Sequence, residues 1–335
     1  MTKQQNILTT QKQNYPELAK YEILRTIKKY LKNTPEQHNN ITIIKNPQNK
    51  KNKIMNALNK LALTKNAYQI LETQKNYKTL LKKIQTTKYP EISKPKKTYK
   101  ITIINTQKKQ ETKNIDEIVT NLKQNNKLGK VNLKNPDTEI TIIKEAKNNH
   151  LCIKIWENKE KYQERKNDKR PAPHPTSMNP ELARALINIS EAKNNMLDPF
   201  CGSGGILIEA GKILKNIKGG DIDSEMILKA KINLEHYGIQ KYELKTQKAT
   251  EWKEKTESII TDIPYGKSSK LKQKIQELVS DFLKNAKTTT KDIILVHPEN
   301  KKITKTIQKS KWRPQKIIKI KIHKTLTRQI THLKL

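Results

Sequence analysis

The sequence predicts an α/β chain of two domains, the second built on a parallel sheet covered by helices on both faces. Three observations carry this. The 335 residues exceed the usual span of one domain, so two cores are expected. From Ser177 onward short apolar strands alternate with amphipathic helices at a pitch that implies parallel strands. Between one such strand and its helix lies the glycine-rich turn Gly202-Ser203-Gly204-Gly205. Glycines there let the backbone pass close to a ligand lying over the strand ends.

In chain order, the first clear helix begins after Tyr15-Pro16, where proline suits the first turn. Leu18, Ile23, Leu24, Ile27, Tyr30 and Leu31 then recur at helical spacing. Strands are read at Ile41 to Ile44, Tyr68 to Leu71, Tyr99 to Ile104, Ile140 to Ile143 and Leu151 to Trp156, and helices around Ile54 to Leu63 and Ile115 to Leu122. This half carries no catalytic signature. The stretch ENKEKYQERKNDKRPA is charged and aperiodic, which places the interdomain linker at 158–172. The second half reads as helix Pro180 to Ile189, strand Met196 to Asp198, helix Ile206 to Leu214, strand Ile217 to Asp221 and helix Asp223 to Tyr237. Strands at Ile259 to Asp262 and Ile293 to His297 follow, with a terminal hairpin from Lys316 to Leu333.

Sixty-nine Lys and Arg against 32 Asp and Glu give a net charge of +37, which favours a polyanionic partner through phosphate contacts and counterion release. A global bias toward Lys, Asn and Ile accounts for part of that excess. Basic stretches such as Lys50-Lys51-Asn52-Lys53 and Lys94-Pro95-Lys96-Lys97 fall between elements, where they are solvated loops that can also meet phosphates. No apolar run approaches the roughly 20 residues that span a bilayer, and the first residues lack the apolar core of a signal peptide, so no membrane role and a cytoplasmic location are expected. The two cysteines, Cys152 and Cys201, have no CxxC or His partner, so neither a metal nor a disulfide is expected.

The most informative segment is Asp198-Pro199-Phe200-Cys201-Gly202-Ser203-Gly204-Gly205. A glycine turn alone is weak evidence. Asp221 adds to it, because an acidic side chain about 20 residues on, at the end of the next strand, can bond ribose hydroxyls. The turn lacks GxGxxG spacing, and the leading Asp198 would repel a pyrophosphate yet suit a cationic sulfonium, so S-adenosylmethionine fits better than a dinucleotide. A second segment, Thr261-Asp262-Ile263-Pro264-Tyr265-Gly266, follows an apolar strand and so falls at the same carboxyl edge. By itself it is an ordinary Asp and Pro turn. Paired with the first it suits a planar amine: Asp262 accepts one N–H, the Ile263 carbonyl accepts the other, and Tyr265 stacks on the base. An exocyclic amino group is a poor nucleophile, its lone pair shared with the ring, so the acceleration comes from orientation and preorganised electrostatics. The base must leave its stack to arrive there. No Ser/His/Asp arrangement is apparent. His174 and His297 read as structural, Cys201 as packing, and Trp156, Trp252 and Trp312 as core.

These residues resemble the amino-methyltransferases with a D/N-P-P-Y motif, and DPFCGSGGILIEAG is similar to the form found in THUMP-containing tRNA guanine-N2 methyltransferases. RPAPHPTSMNPELARALINI, GGDIDSEMILKAKINLEHYGI and HKTLTRQITHL resemble further blocks of that family, most closely its archaeal type, which methylates N2 of guanosine at position 10 of tRNA. The likeness is clear over 170–335 and faint before it. It implies a Rossmann-like class I methyltransferase domain at 173–335, a ferredoxin-like subdomain at 1–50 and a THUMP-like RNA-binding domain at 51–157. It also implies tRNA as partner and a chain acting as a monomer. Cofactor contacts would come from Asp198, Pro199, Cys201, Gly202, Ser203, Gly204, Asp221, Ile222 and Ala249, and catalysis from Asp262, Ile263, Pro264 and Tyr265. Two departures stand out: Ile263 replaces the second residue of D-P-P-Y and is expected to loosen the turn, and Lys248 stands where the family has an acidic residue contacting adenine. Left open are an amino-methyltransferase for another tRNA or rRNA base or for DNA adenine, and a non-catalytic RNA-binding protein with a decayed methyltransferase domain.

Overall fold

The computed structural model describes residues 6–31, 33–45, 50–106, 115–265, 275–323 and 326–335. The chain forms two compact units, one of Met1–Lys60 with Thr64–Lys159 and one of Leu61–Leu63 with Glu160–Leu335. Among the described residues no helix is long and apolar enough to cross a membrane.

The first unit runs β1 (Ile7–Gln11), α1 (Pro16–Ile27), β2 (Glu36–His38), β3 (Ile41–Ile44), α2 (Lys51–Leu58), β4 (Thr64–Gln74), α3 (Tyr77–Thr86), β5 (Tyr99–Asn105), α4 (Ile115–Asn125), β6 (Thr138–Lys144) and β7 (Asn149–Glu157). Its strands form one sheet in the order β2-β3-β1-β4-β7-β6-β5. Among the described strands of this sheet only β5 and β6 pair in parallel. Because β1 pairs with β4, this sheet is continuous across residue 50. β1 is buried at all five positions although three of its residues are polar. The Thr9 hydroxyl donates to the Thr42 carbonyl and Gln11 Nε2 to the Thr42 hydroxyl, each at 3.2 Å, so side chains that a hydropathy reading passes over are held across the sheet. α3 is not among the elements expected, although Tyr77, Leu80, Leu81 and Ile84 recur at helical spacing. Asn76 caps it by accepting from the Lys78 N–H at 2.8 Å, and Leu80, Leu81 and Ile84 bury its inner face.

The second unit runs α5 (Pro180–Ile189), β8 (Asn195–Asp198), α6 (Gly205–Gly211), β9 (Asn216–Asp221), α7 (Ser224–His236), β10 (Tyr242–Thr246), β11 (Ile259–Asp262), α8 (Ile275–Thr289), β12 (Asp292–Pro298), α9 (Lys301–Lys309), β13 (Arg313–His323) and β14 (Leu326–Lys334). Its sheet has the order β10-β9-β8-β11-β12-β14-β13. The first five strands are parallel, and β14 is antiparallel to both of its neighbours. This is the Rossmann-like arrangement expected, with strand order reversing between β8 and β11. Such a reversal opens a crevice at the carboxyl ends, the position where open α/β sheets bind ligands. Phe282 of α8, Ile303 and Ile307 of α9, and both Trp252 and Trp312 close the core beneath it, each large side chain contributing about 1.5–3 kcal/mol.

The stretch 158–172, read as a linker, differs in the structure. From Glu160 it belongs to the second unit, with short 3-10 turns at Tyr162–Arg165 and Asn167–Lys169 and with Arg165 and Arg170 buried. The reason lies on α6. Glu209 is fully buried, and Arg165 grips it through Nε at 2.5 Å and Nη2 at 3.1 Å, while Arg184 of α5 adds a contact at 3.1 Å. The charged run is a docked strap because its partner lies 44 residues away, outside any local pattern. Glu209→Ala takes away the buried carboxylate that two buried guanidinium groups share, leaving Arg165 only Glu160 at 2.8 Å and the Lys161 carbonyl at 3.4 Å. It should cost the second unit about 3–5 kcal/mol in urea unfolding followed by circular dichroism, well above the effect of an exposed pair such as Lys284 with Asp281.

Candidate active site

Asp198 ends β8, Asp221 ends β9 and Asp262 ends β11, so three neighbouring parallel strands deliver three carboxylates to one edge. They line a cavity of about 670 Å³ together with the glycine turn, Ile222, Ala249, Pro264 and Tyr265. The structure thus brings both sequence segments into one site. Every residue expected at it is among the lining except Gly204, which belongs to the same turn, and the segment's Gly266 falls outside the described residues.

The turn needs its glycines. Gly202 and Gly204 have φ of +50° and +84°, and a Cβ on Gly204 would sit 3.3 Å from the backbone of Ala230 on α7. Asp221 ties this turn down: Oδ2 accepts the Gly202 N–H and Oδ1 accepts the Asp223 N–H, both at 3.0 Å. A carboxylate has about four lone-pair sites, so it can still take ribose hydroxyls. Cys201 is buried and its thiol is pushed far above the usual range by burial, which keeps it an inert packing group. Ser203 bonds Ser177 at 3.1 Å, and Ser177 accepts from the buried Arg170 at 2.5 Å. Exposed Ile222 and buried Ala249 offer apolar surface to a flat ring. Lys248 lies beside them with its ammonium 3.5 Å from Glu251.

Asp198 is 1 % exposed and is held by the Thr261 hydroxyl at 2.6 Å and the Phe200 N–H at 3.2 Å. Burial pushes its carboxyl up to about 7, and the charges of Asp262 and Asp221 push in the same direction. Burial also raises Asp262 to about 6, against the pull of Arg328 and the Tyr265 hydroxyl. That hydroxyl donates to Asp262 Oδ1 at 2.5 Å. Ile263 is buried in the core, and its N–H, which proline would lack, donates to the Val296 carbonyl at 3.0 Å. The departure from D-P-P-Y therefore adds a ladder bond to the turn and does not loosen it.

Several lining residues escaped the sequence reading. Arg328 of β14 places Nη2 3.5 Å from Asp262 Oδ2 and its guanidinium 5.5 Å from the Tyr265 ring centre. Its only trace in the sequence is its place within the HKTLTR block. His174, Thr176 and Ser177 come from the HPTS part of another block, and His174 Nδ1 meets the Thr176 hydroxyl at 2.9 Å. His297 is structural, bonded to the Pro298 carbonyl and the Thr331 hydroxyl.

A family model described as an RMKL-like methyltransferase domain matches residues 167–328, and one described as a DNA methylase matches residues 36–232. The chain is similar to tRNA (guanine(10)-N2)-dimethyltransferase of Pyrococcus abyssi, with 41% identity over 52% of this chain and 54% of that protein. It is also similar to a probable tRNA (guanine(10)-N2)-dimethyltransferase of Methanothermococcus thermolithotrophicus, with 33% identity over 45% of this chain and 95% of that protein. The chain spans between 54% and 59% of the first three relatives it matches. Among solved structures, TrmN from Thermus thermophilus superimposes with a TM-score of 0.58 at 15% identity, covering 98% of this chain and 100% of that one, a likeness of fold.

A raised Asp198 makes a stability prediction. The folded form holds a proton up to about 7, whereas the unfolded carboxyl releases it near 3.9, so its contribution is present at acid pH and is lost as pH rises toward 7. Asparagine can accept the same two hydrogen bonds without the charge. Asp198→Asn should therefore raise the melting temperature at pH 8 by about 5 °C, with the gain shrinking toward pH 5, as followed by scanning calorimetry.

Proposed function

The chain belongs to the THUMP-type tRNA guanine-N2 methyltransferase family, and from that premise we propose that it methylates the exocyclic N2 of a guanosine in tRNA, at position 10, giving N2-methyl- and N2,N2-dimethylguanosine. The observation that carries the reading is electrostatic. In a chain of net charge +37, four carboxylates, Asp198, Asp221, Asp223 and Asp262, line one cavity against Lys248 and Arg328. Such a cavity suits a ligand that is cationic at one end and hydroxyl-bearing along its length. S-adenosylmethionine, when bound, supplies an activated methyl on a positive sulfonium. Asp221 would hold the ribose, Ile222 and Ala249 the adenine, and Asp198, with the backbone of Pro199, Cys201, Gly202, Ser203 and Gly204, the charged end.

Asp262 would accept one N–H of the target amine and the Ile263 carbonyl the other, with Pro264 fixing the turn between them and Tyr265 covering the base. For this the Tyr265 hydroxyl gives up its bond to Asp262 and the entering amine takes its place. Asp262 must be ionised, so the rate should rise with pH through about 6. Residues 1–50 and 51–157 would serve as the ferredoxin-like and THUMP-like parts that hold the tRNA acceptor end, and the chain would act as a cytoplasmic monomer.

A second reading, an amino-methyltransferase for adenine in DNA, is favoured by the DNA methylase match at 36–232. That match takes in the glycine turn and Asp221 but ends before Asp262. Methyl transfer from labelled S-adenosylmethionine to an unmodified tRNA transcript, followed by nucleoside analysis, separates the two. The expected products are N2-methyl- and N2,N2-dimethylguanosine, reduced about 10²–10³-fold by Asp262→Ala. N6-methyladenine formed in duplex DNA would establish the second reading, and no incorporation into any RNA or DNA would reject both.

A further inference from the structure

The hydrogen-bonding capacity of Arg328 exceeds what the protein around it uses. Its side chain is 14 % exposed, it lines the cavity, and it meets Asp262 Oδ2 at 3.5 Å, a contact too long for a strong charge-assisted bond. Its Nε is buried and finds no hydrogen-bond partner among the described residues. Leaving a guanidinium N–H buried and unsatisfied is costly unless a ligand completes it. Backbone topology fixes this placement. Arg328 pairs with Pro298 at the carboxyl end of β12, so the antiparallel β14 enters the sheet at the edge where the parallel strands leave it.

We propose that Arg328 determines the choice of base, its guanidinium donating to O6 of the target guanine while Asp262 accepts from N1–H and from one N2–H. This deepens the reading of the site as a guanine N2 methyltransferase and rests on it. The three groups N2–H, N1–H and O6 lie in a row on guanine as donor, donor, acceptor. A carboxylate followed by a guanidinium presents the complementary row of acceptor, acceptor, donor. In the structure Oδ1, Oδ2 and Nη2 stand in that sequence, with the Tyr265 hydroxyl on Oδ1 where the amine is to sit. Adenine mismatches the row. With its amino group on Oδ1, its unprotonated N1 faces the second carboxylate oxygen and a C–H faces the arginine. A site of this kind selects by leaving the wrong base with unpaired polar groups as well as by bonding the right one.

The test uses a tRNA carrying 2,6-diaminopurine at the target position. That base keeps the N2 amino group, replaces O6 by a donor and removes the N1 proton. Wild-type enzyme should favour guanine by about 10²-fold in kcat/KM, the scale of two charge-assisted hydrogen bonds. Arg328→Met should lower the guanine rate far more than the diaminopurine rate, so that the preference shrinks at least about tenfold. Arg328→Lys, which keeps a charge but loses the planar fork, should fall between. Residual diaminopurine turnover and an unchanged melting temperature report that the variants are folded. An equal loss on both bases would overturn the proposal and leave Arg328 as a group that only positions Asp262. Wild-type enzyme with no preference for guanine would also overturn it. Failure of the wild-type enzyme to form N2-methylguanosine on ordinary tRNA would instead sink the guanine reading itself, and that is seen before any variant is made.

Discussion

The site depends on one constraint: carboxylates held out of water at the carboxyl edge of a parallel sheet. Asp198 is almost fully buried, and its proton affinity rises to about 7 because the surroundings solvate a charge poorly and because Asp262 and Asp221 lie close by. In a chain with more than twice as many basic as acidic residues, this local excess of negative charge is the feature that composition would least lead one to expect. The fold tolerates it by spending hydrogen bonds on each carboxylate. Thr261 and Phe200 serve Asp198, Gly202 and Asp223 serve Asp221, and Tyr265 with Arg328 serves Asp262. A cationic ligand relieves what remains, which couples stability, proton binding and ligand binding in one set of residues.

Around that edge the supporting structure is of two kinds. Backbone conformation positions the first kind: the left-handed Gly202 and Gly204 wrap the turn, and Asp221 clamps it to β9. Buried charge pairing positions the second. Glu209, one helix turn into α6, holds Arg184 of α5 and draws Arg165 in from the segment before the sheet. Arg170 follows in the same segment and reaches Ser177 and, through it, Ser203 in the turn. The path from the strap to the cavity is thus a continuous set of hydrogen bonds.

Much of this was legible from residue order. The glycine turn, Asp221 and Asp262 each stand at the end of an apolar strand, and a parallel sheet necessarily brings such ends to one edge. Legibility failed where partners are distant or polar. β1 is a buried strand of Ile, Leu, Thr, Thr and Gln, and the partner of its Thr9 hydroxyl and Gln11 amide, Thr42, lies on another strand more than 30 positions away. The charged run after residue 157 looked solvated because Glu209 lies far down the chain. Ile263 looked like a weakened motif until its N–H found Val296.

Residue order alone specifies the α/β class, the succession of parallel strands along the chain, the glycine turn between two elements and the acidic residues at the strand ends. These follow from local periodicity and from residue types whose conformations or charges have few other uses. Which carboxylates share a cavity with which cations depends on strand pairing and is fixed by the folded chain. Arg328 is 66 positions beyond Asp262 in a strand of opposite direction, and no local pattern encodes that the two meet. The antiparallel insertion of β14 beside β12 is what carries it there.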